Sequence, residues 1–168
     1  MPRRPVPTRL DRRTVLAALV VAPACGFTPA YGPQGSAGRL QDSVALSEPR
    51  NRAGYVLNRR IEERLGHAPG GRYALETPID TGETDFGTTS TGTTTRYRVV
   101  GSVDIRLRDT ATGAVVLEDR LDSFTGYSAT GSAVATLAAE RDALERLMTL
   151  LADRIVDRLI LAAPELPG

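Results

Sequence analysis

Cys25 is the single cysteine among 168 residues, and it closes an uncharged run, Thr14-Val15-Leu16-Ala17-Ala18-Leu19-Val20-Val21-Ala22-Pro23-Ala24. A thiol in that place can be thioether-linked to a glyceride once the preceding residues are cut away, becoming an acylated N-terminus. Each buried methylene adds about 0.8 kcal/mol of membrane affinity, so several chains together make a durable anchor. Ala22-Pro23-Ala24-Cys25 has the order of a bacterial lipobox, with Ala22 and Pro23 where leucine and a small residue are usual. The competing reading is an ordinary signal cut after Ala24 that leaves a free thiol. A second group with recognition chemistry is Arg96, Arg98, Arg106, Arg108 and Arg120. Residues two apart on a strand point the same way, so Arg96 and Arg98 can present paired guanidinium groups to an anion. Asp104, Glu118 and Asp122 fall on the same face and can neutralise it across strands. An anion-contacting surface and a solvated mixed-charge face are both open.

Catalytic material is scarce. With one histidine, His67, and no cysteine beyond Cys25, nucleophile–histidine arrangements lack their parts. Asp80, Glu83 and Asp85 cluster without the order of a calcium loop, and there is no phosphate-binding loop or dinucleotide fingerprint. The expectation is a non-enzyme with no cofactor and no metal site.

The elements that must position these residues follow from periodicity and charge. Arg3, Arg4, Arg9, Arg12 and Arg13 precede the apolar run, so residues 1–24 read as an export signal, with Arg12-Arg13 resembling a twin-arginine type. The apolar run of 11 residues is short of the roughly 20 needed to span a bilayer. Of the 21 basic and 20 acidic residues, five and one lie in the signal, leaving a mildly acidic mature chain near −3. That balance gives no bulk argument for nucleic acid. Every basic residue is arginine and tryptophan is absent.

Residues 25–41 are rich in glycine and proline and read as a lipidated N-terminus with a flexible tether. Val44 and Leu46 mark a short strand, and Asn51 can cap a helix from about Arg52 to Leu65 whose apolar stripe is Leu57, Ile61 and Leu65. Tyr73, Leu75, Thr77 and Ile79 alternate as a second strand. Residues 80–94, dense in Thr and Gly, are expected to form a long mobile hairpin tip. Tyr97, Val99, Gly101, Val103, Ile105 and Leu107 form one face of a long strand, and Val115, Leu117 and Leu121 continue it in a fourth. Asp119 interrupts that face, which suggests a bulge nearby. Leu137, Leu144, Met148, Leu151, Ile155 and Leu159 then mark a helix of nearly 30 residues before Pro164. The predicted fold is α+β: a two-layer sandwich over residues 42–163, with a four-stranded, mostly antiparallel sheet, two helices on one face, and a tail over 164–168.

Several segments together resemble one family. They are Cys25-Gly26-Phe27-Thr28-Pro29-Ala30-Tyr31-Gly32, the helix Leu57-Asn58-Arg59-Arg60-Ile61-Glu62-Glu63-Arg64-Leu65, Tyr127-Ser128, and the alanine-rich entry to the last helix over residues 135–143. Their order is similar to that of the LptE lipopolysaccharide-assembly lipoproteins of alphaproteobacterial type. The resemblance implies an outer-membrane lipoprotein on the periplasmic face, held by acyl chains on Cys25. It also implies a plug for an LptD-type β-barrel that assists delivery of lipopolysaccharide to the outer leaflet. Under it, residues 80–95 and the polar sheet face would contact barrel or lipopolysaccharide, with the five arginines as candidate phosphate contacts. The alternative is a free-standing periplasmic ligand-binding lipoprotein or small hydrolase, which needs an enclosed pocket.

Overall fold

The structure, a computed structural model, describes residues 35–88, 92 and 94–167. The expected signal, Cys25 and most of the expected tether lie outside the described residues. The elements are α1 (Ser36–Leu40), β1 (Val44–Leu46), α2 (Arg52–Leu65), β2 (Tyr73–Glu76), β3 (Ile79–Thr88), β4 (Thr94–Asp109), β5 (Val115–Ser128) and α3 (Ala133–Ala162), followed by a 3-10 turn, Ala163–Glu165.

Side-chain caps set the starts of both long helices, at Asn51 as the sequence suggests and at Ser132. The Asn51 side chain accepts from the Gly54 N–H at 2.9 Å, and Ser132 accepts from the Ala135 N–H at 3.3 Å. Gly66 stops α2 at φ 86°, a left-handed conformation that glycine adopts without a Cβ penalty. A side chain there would also collide with the Asp42 carboxylate.

Helices α2 and α3 run parallel and are tied by a ladder of charge pairs. Arg52 meets Glu145 at 2.6 Å, Arg60 meets Asp153 at 2.9 Å, and Arg64 meets Asp157 at 3.2 Å. Each pair is 93 residues apart in sequence, so both helices advance together by eight and then four residues. Asp153 also takes Arg64. Burial works to raise the Asp153 pKa, but the guanidiniums of Arg60 and Arg64 outweigh it and hold the carboxyl below its ordinary value.

The sheet has five strands and the chain three helices among the described residues, where four and two were expected. The extra strand has a simple origin. Glu76 faces Arg106 and Ile79 faces Val103, so β2 and β3 keep one register along β4. Between them Pro78 has no N–H to donate, yet its carbonyl still accepts from Asp104 N–H at 3.1 Å. Strand β1 lies parallel to β2, and all other pairings are antiparallel. The extra helix is α1, inside the expected tether, which gives way to packed structure there: Ala37 and Leu40 are core residues. At the other terminus the expected tail packs as well, with Leu166 buried and the Tyr73 hydroxyl donating to Pro167 O at 2.5 Å.

Of residues 80–94, expected as a long hairpin tip, 80–88 and 94 lie in strands. Strand β3 occupies 79–88 and pairs with β4 out to Thr94, with register shifts around Gly87. Backbone pairing, not burial, makes it a strand. The shift in β5 falls between Leu107 and Arg108 of its partner, not at Asp119. Asp119 stays in the ladder opposite Ile105 and points to the helix side, where Arg158 Nε donates to its carboxylate at 2.6 Å.

The core is layered between β4 and the two long helices: Val103, Ile105 and Leu107 below, Leu57, Ile61, Leu147, Met148, Leu151, Ile155 and Leu159 above. Gly101 lets α3 approach the sheet, since a Cβ there would sit 3.0 Å from Leu147 Cδ2 and 3.3 Å from Leu151 Cδ1. The first turns of α3 overhang this core. Leu137, expected inside, is 46% exposed, and Val134 is 79% exposed. No helix among the described residues is long and apolar enough to cross a membrane, which says nothing of barrels.

Candidate functional site

The face of the sheet turned away from the helices carries all five candidate arginines. Alternation on β4 puts Val99, Val103, Ile105 and Leu107 in the core and sends Arg96, Arg98, Ser102, Asp104, Arg106 and Arg108 the other way. Register then decides what each arginine meets. Arg106 sits opposite Glu118 and binds it at 2.5 Å, a contact that raises the guanidinium pKa further above its ordinary value. Arg120 sits opposite Asp104, binds it at 3.1 Å, and donates to Ser102 Oγ at 2.7 Å. Arg108 lies 3.9 Å from Glu76 and donates to Gly113 O at 3.0 Å.

Arg96 and Arg98, at the end near the β3–β4 turn, differ. Among the described residues neither is paired with a carboxylate. The Arg98 guanidinium carbon lies 4.2 Å from the Phe86 ring centroid and 4.8 Å from that of Phe124. Those rings are 60% and 61% exposed. Their negative faces hold the cation while leaving its N–H donors uncommitted to an acid. A shallow trough of about 320 Å³ opens beside it, between Arg98, Gly82, Val100, Asp122 and Phe124. One end of the face is therefore internally neutralised, and the other offers a fixed cation flanked by apolar rings.

Behind this end, Tyr97 and Tyr127 stack at 5.3 Å, and the Tyr127 hydroxyl donates to Glu83 at 2.9 Å. Burial and the Glu83 carboxylate push the Tyr127 phenol up to about 12. The exposed overhang of α3 lies at the same end, since Ala129 N–H, just before it, bonds Thr95 O. On the helix side a groove of about 770 Å³ runs along α3 between Tyr55, Arg59, Arg146 and Leu150, residues that are all exposed. It is a surface valley and not the enclosed pocket that the free-standing binding reading needs.

The sequence points to the arginine face but not to Phe86 and Phe124. Phe86 sits in a stretch with no hydrophobic periodicity, and Phe124 falls on the same parity of β5 as Glu118, Arg120 and Asp122, which reads as polar. Only the pairing of β3 and β5 on either side of β4 brings both rings to Arg98. His67 is exposed, with Nδ1 2.8 Å from Glu62.

The family model described as LptE, lipopolysaccharide-assembly, matches residues 39–159. No curated protein matches the chain. Among solved structures, a candidate lipoprotein from Caulobacter crescentus is 28% identical, with a TM-score of 0.61 over 79% of this chain and 98% of its own. Rare lipoprotein B from Shewanella oneidensis is 15% identical, with a TM-score of 0.55 over 73% and 94%. A minor lipoprotein from Acinetobacter baumannii is also 15% identical, with a TM-score of 0.55 over 74% and 92%. The latter two show the shared fold. With the model covering most of the sheet and both long helices, the chain belongs to the LptE family of lipopolysaccharide-assembly proteins.

Proposed function

We propose that this chain is an outer-membrane lipoprotein, anchored through acylated Cys25 on the periplasmic face. In this reading its sandwich domain plugs an LptD-type β-barrel and assists delivery of lipopolysaccharide to the outer leaflet. It works by binding and positioning, with no covalent step. The observation that carries the reading is Arg98, held between Phe86 and Phe124 without an acidic partner among the described residues. Lipopolysaccharide joins phosphates to acyl chains, and a cation bracketed by exposed rings suits both parts. Arg96 extends that site, while Arg106, Arg108 and Arg120 keep the rest of the face solvated and close to neutral.

The test is the intact mass of the mature protein together with its recovery from membranes. Expected are a chain beginning at Cys25, heavier by its acyl groups, and a stable complex with an outer-membrane barrel. A mature chain of unmodified mass, or recovery only as monomer from outer-membrane extracts, overturns the reading.

A further inference from the structure

The sheet ends on one side in β5, a 14-residue edge strand. Long antiparallel edges invite another strand, and proteins that stay apart must close them. The bond from Ala129 N–H to Thr95 O fixes the phase of the ladder: odd-numbered residues from Leu117 onward turn their N–H and C=O toward β4. Those of Glu118, Arg120, Asp122, Phe124 and Gly126 therefore point outward, to the free edge.

Three of these outward groups are already occupied by side chains of this chain. Arg120 N–H donates to Asp119 Oδ1 at 2.8 Å, Arg154 from α3 donates to Asp122 O, and Arg146 from α3 donates to Gly126 O at 3.2 Å. Asp119 is itself fixed through its second oxygen by Arg158. Helix α3 thus leans over the strand edge and reaches it with arginines spaced by two turns and then one.

We propose that Arg146, Arg154 and Asp119 are edge guards that keep β5 closed to a second copy of this chain. The copy is the occupant the edge suits best, because antiparallel pairing of β5 with itself is two-fold symmetric and uses one surface twice. One register sets Arg120 opposite the other copy's Asp122, and Asp122 opposite the other copy's Arg120, so charges match on the open face. In that register the central bonds run from Arg120 N–H to the other copy's Asp122 O. Those are the two groups that Asp119 and Arg154 hold.

The test uses the full chain in nonionic detergent, with sedimentation velocity across a concentration series. The wild type stays monomeric. The R146M/R154M variant keeps the aliphatic stems but loses the donors, and is expected to dimerise at least about tenfold more tightly. Adding Asp122→Pro removes an outward N–H without touching a β4 bond, and should return the chain to monomer. A double variant with native circular dichroism that stays monomeric overturns the proposal, as does a triple variant that associates as strongly as the double. Should the double variant lose its native signal, Arg154→Met alone, at an exposed position, takes its place: dimerisation supports the proposal and a folded monomer overturns it.

Discussion

Replacing Arg98 by alanine separates the two ends of the open face. Arg98 is held by two ring contacts, each worth about 0.5–1 kcal/mol at an exposed site, so its loss lowers folding stability by at most about 2 kcal/mol. Its effect on ligand is larger. A hydrogen bond to a charged group contributes about 1.5–3 kcal/mol, which corresponds to a loss of roughly 10- to 150-fold in affinity. Arg106→Ala is the matched control, because Glu118 already satisfies that guanidinium at 2.5 Å. Its removal leaves Glu118 unpaired but exposed, so affinity for a phosphorylated lipid should fall less than about threefold, under about 0.7 kcal/mol. The assay is equilibrium binding of lipid A to the purified chain in detergent, at low and high salt, with thermal melts to confirm folding. Arg98→Lys keeps the charge but not the planar fit between rings, and should fall between wild type and alanine. Equal losses for Arg98→Ala and Arg106→Ala would refute the argument, since pairing would then have no bearing on availability. Undiminished binding by Arg98→Ala would remove the site altogether.

Four further outcomes follow from the packing and the charges. Leu151→Ala empties a fully buried position between α3 and β4 and should cost about 2–5 kcal/mol, read as a lower urea midpoint with an unchanged slope. Gly101→Val forces branched atoms against Leu147 and Leu151 and should cost about 1–3 kcal/mol, whereas the same change at Gly70, with open space around it, should cost far less. Asp119 and Asp153 have folded pKa values below their unfolded ones, so their stabilisation is complete above the ordinary carboxylate range and is lost as pH falls through the folded values. Urea midpoints should therefore drop on acidification below about pH 4, and less steeply in Asp153→Asn. Tyr127 is raised above its unfolded value, so its contribution is full below about pH 10 and disappears as pH climbs through about 12. Ultraviolet titration should show a phenol that titrates late, which Glu83→Gln moves down.

Much of this architecture is legible locally. Leu57, Ile61 and Leu65 recur at four-residue spacing and all three are buried in α2, because that stripe has meaning without any knowledge of what it packs against. The β4 alternation is likewise complete in itself. Strand β3 is different. Thr81, Gly82, Glu83, Thr84 and Asp85 are exposed, so no hydrophobic pattern marks them, and their strand state comes from hydrogen bonding to a neighbour. Leu137 misleads for the opposite reason: its helical spacing is right, but α3 has run past the end of the core there. Asp119 breaks an apolar alternation without breaking the strand, because the charge it brings to the helix side is answered by Arg158, 39 residues away. The same limit governs the arginines. Parity alone places all five on one face, while their division into paired and unpaired needs the cross-strand register.

The placement of that division along the strands bears on how the domain could serve the proposed role. From Arg96 to Asp109, β4 covers thirteen steps, roughly 43 Å at about 3.3 Å per residue. The Asp109 end holds the start of β2, helix α1, and the buried Leu166 near the chain's other terminus. The chain therefore enters the domain at one end and presents Arg98 at the other. Ten residues separate Cys25 from Gly35, a reach of at most about 35 Å when fully extended. If Cys25 is held at a membrane surface, an outstretched tether carries the Arg98 end away from that surface, and a folded-back one brings it near. In the proposed role a surrounding barrel would hold one of these two arrangements, and with it the distance between the Arg98 end and Cys25.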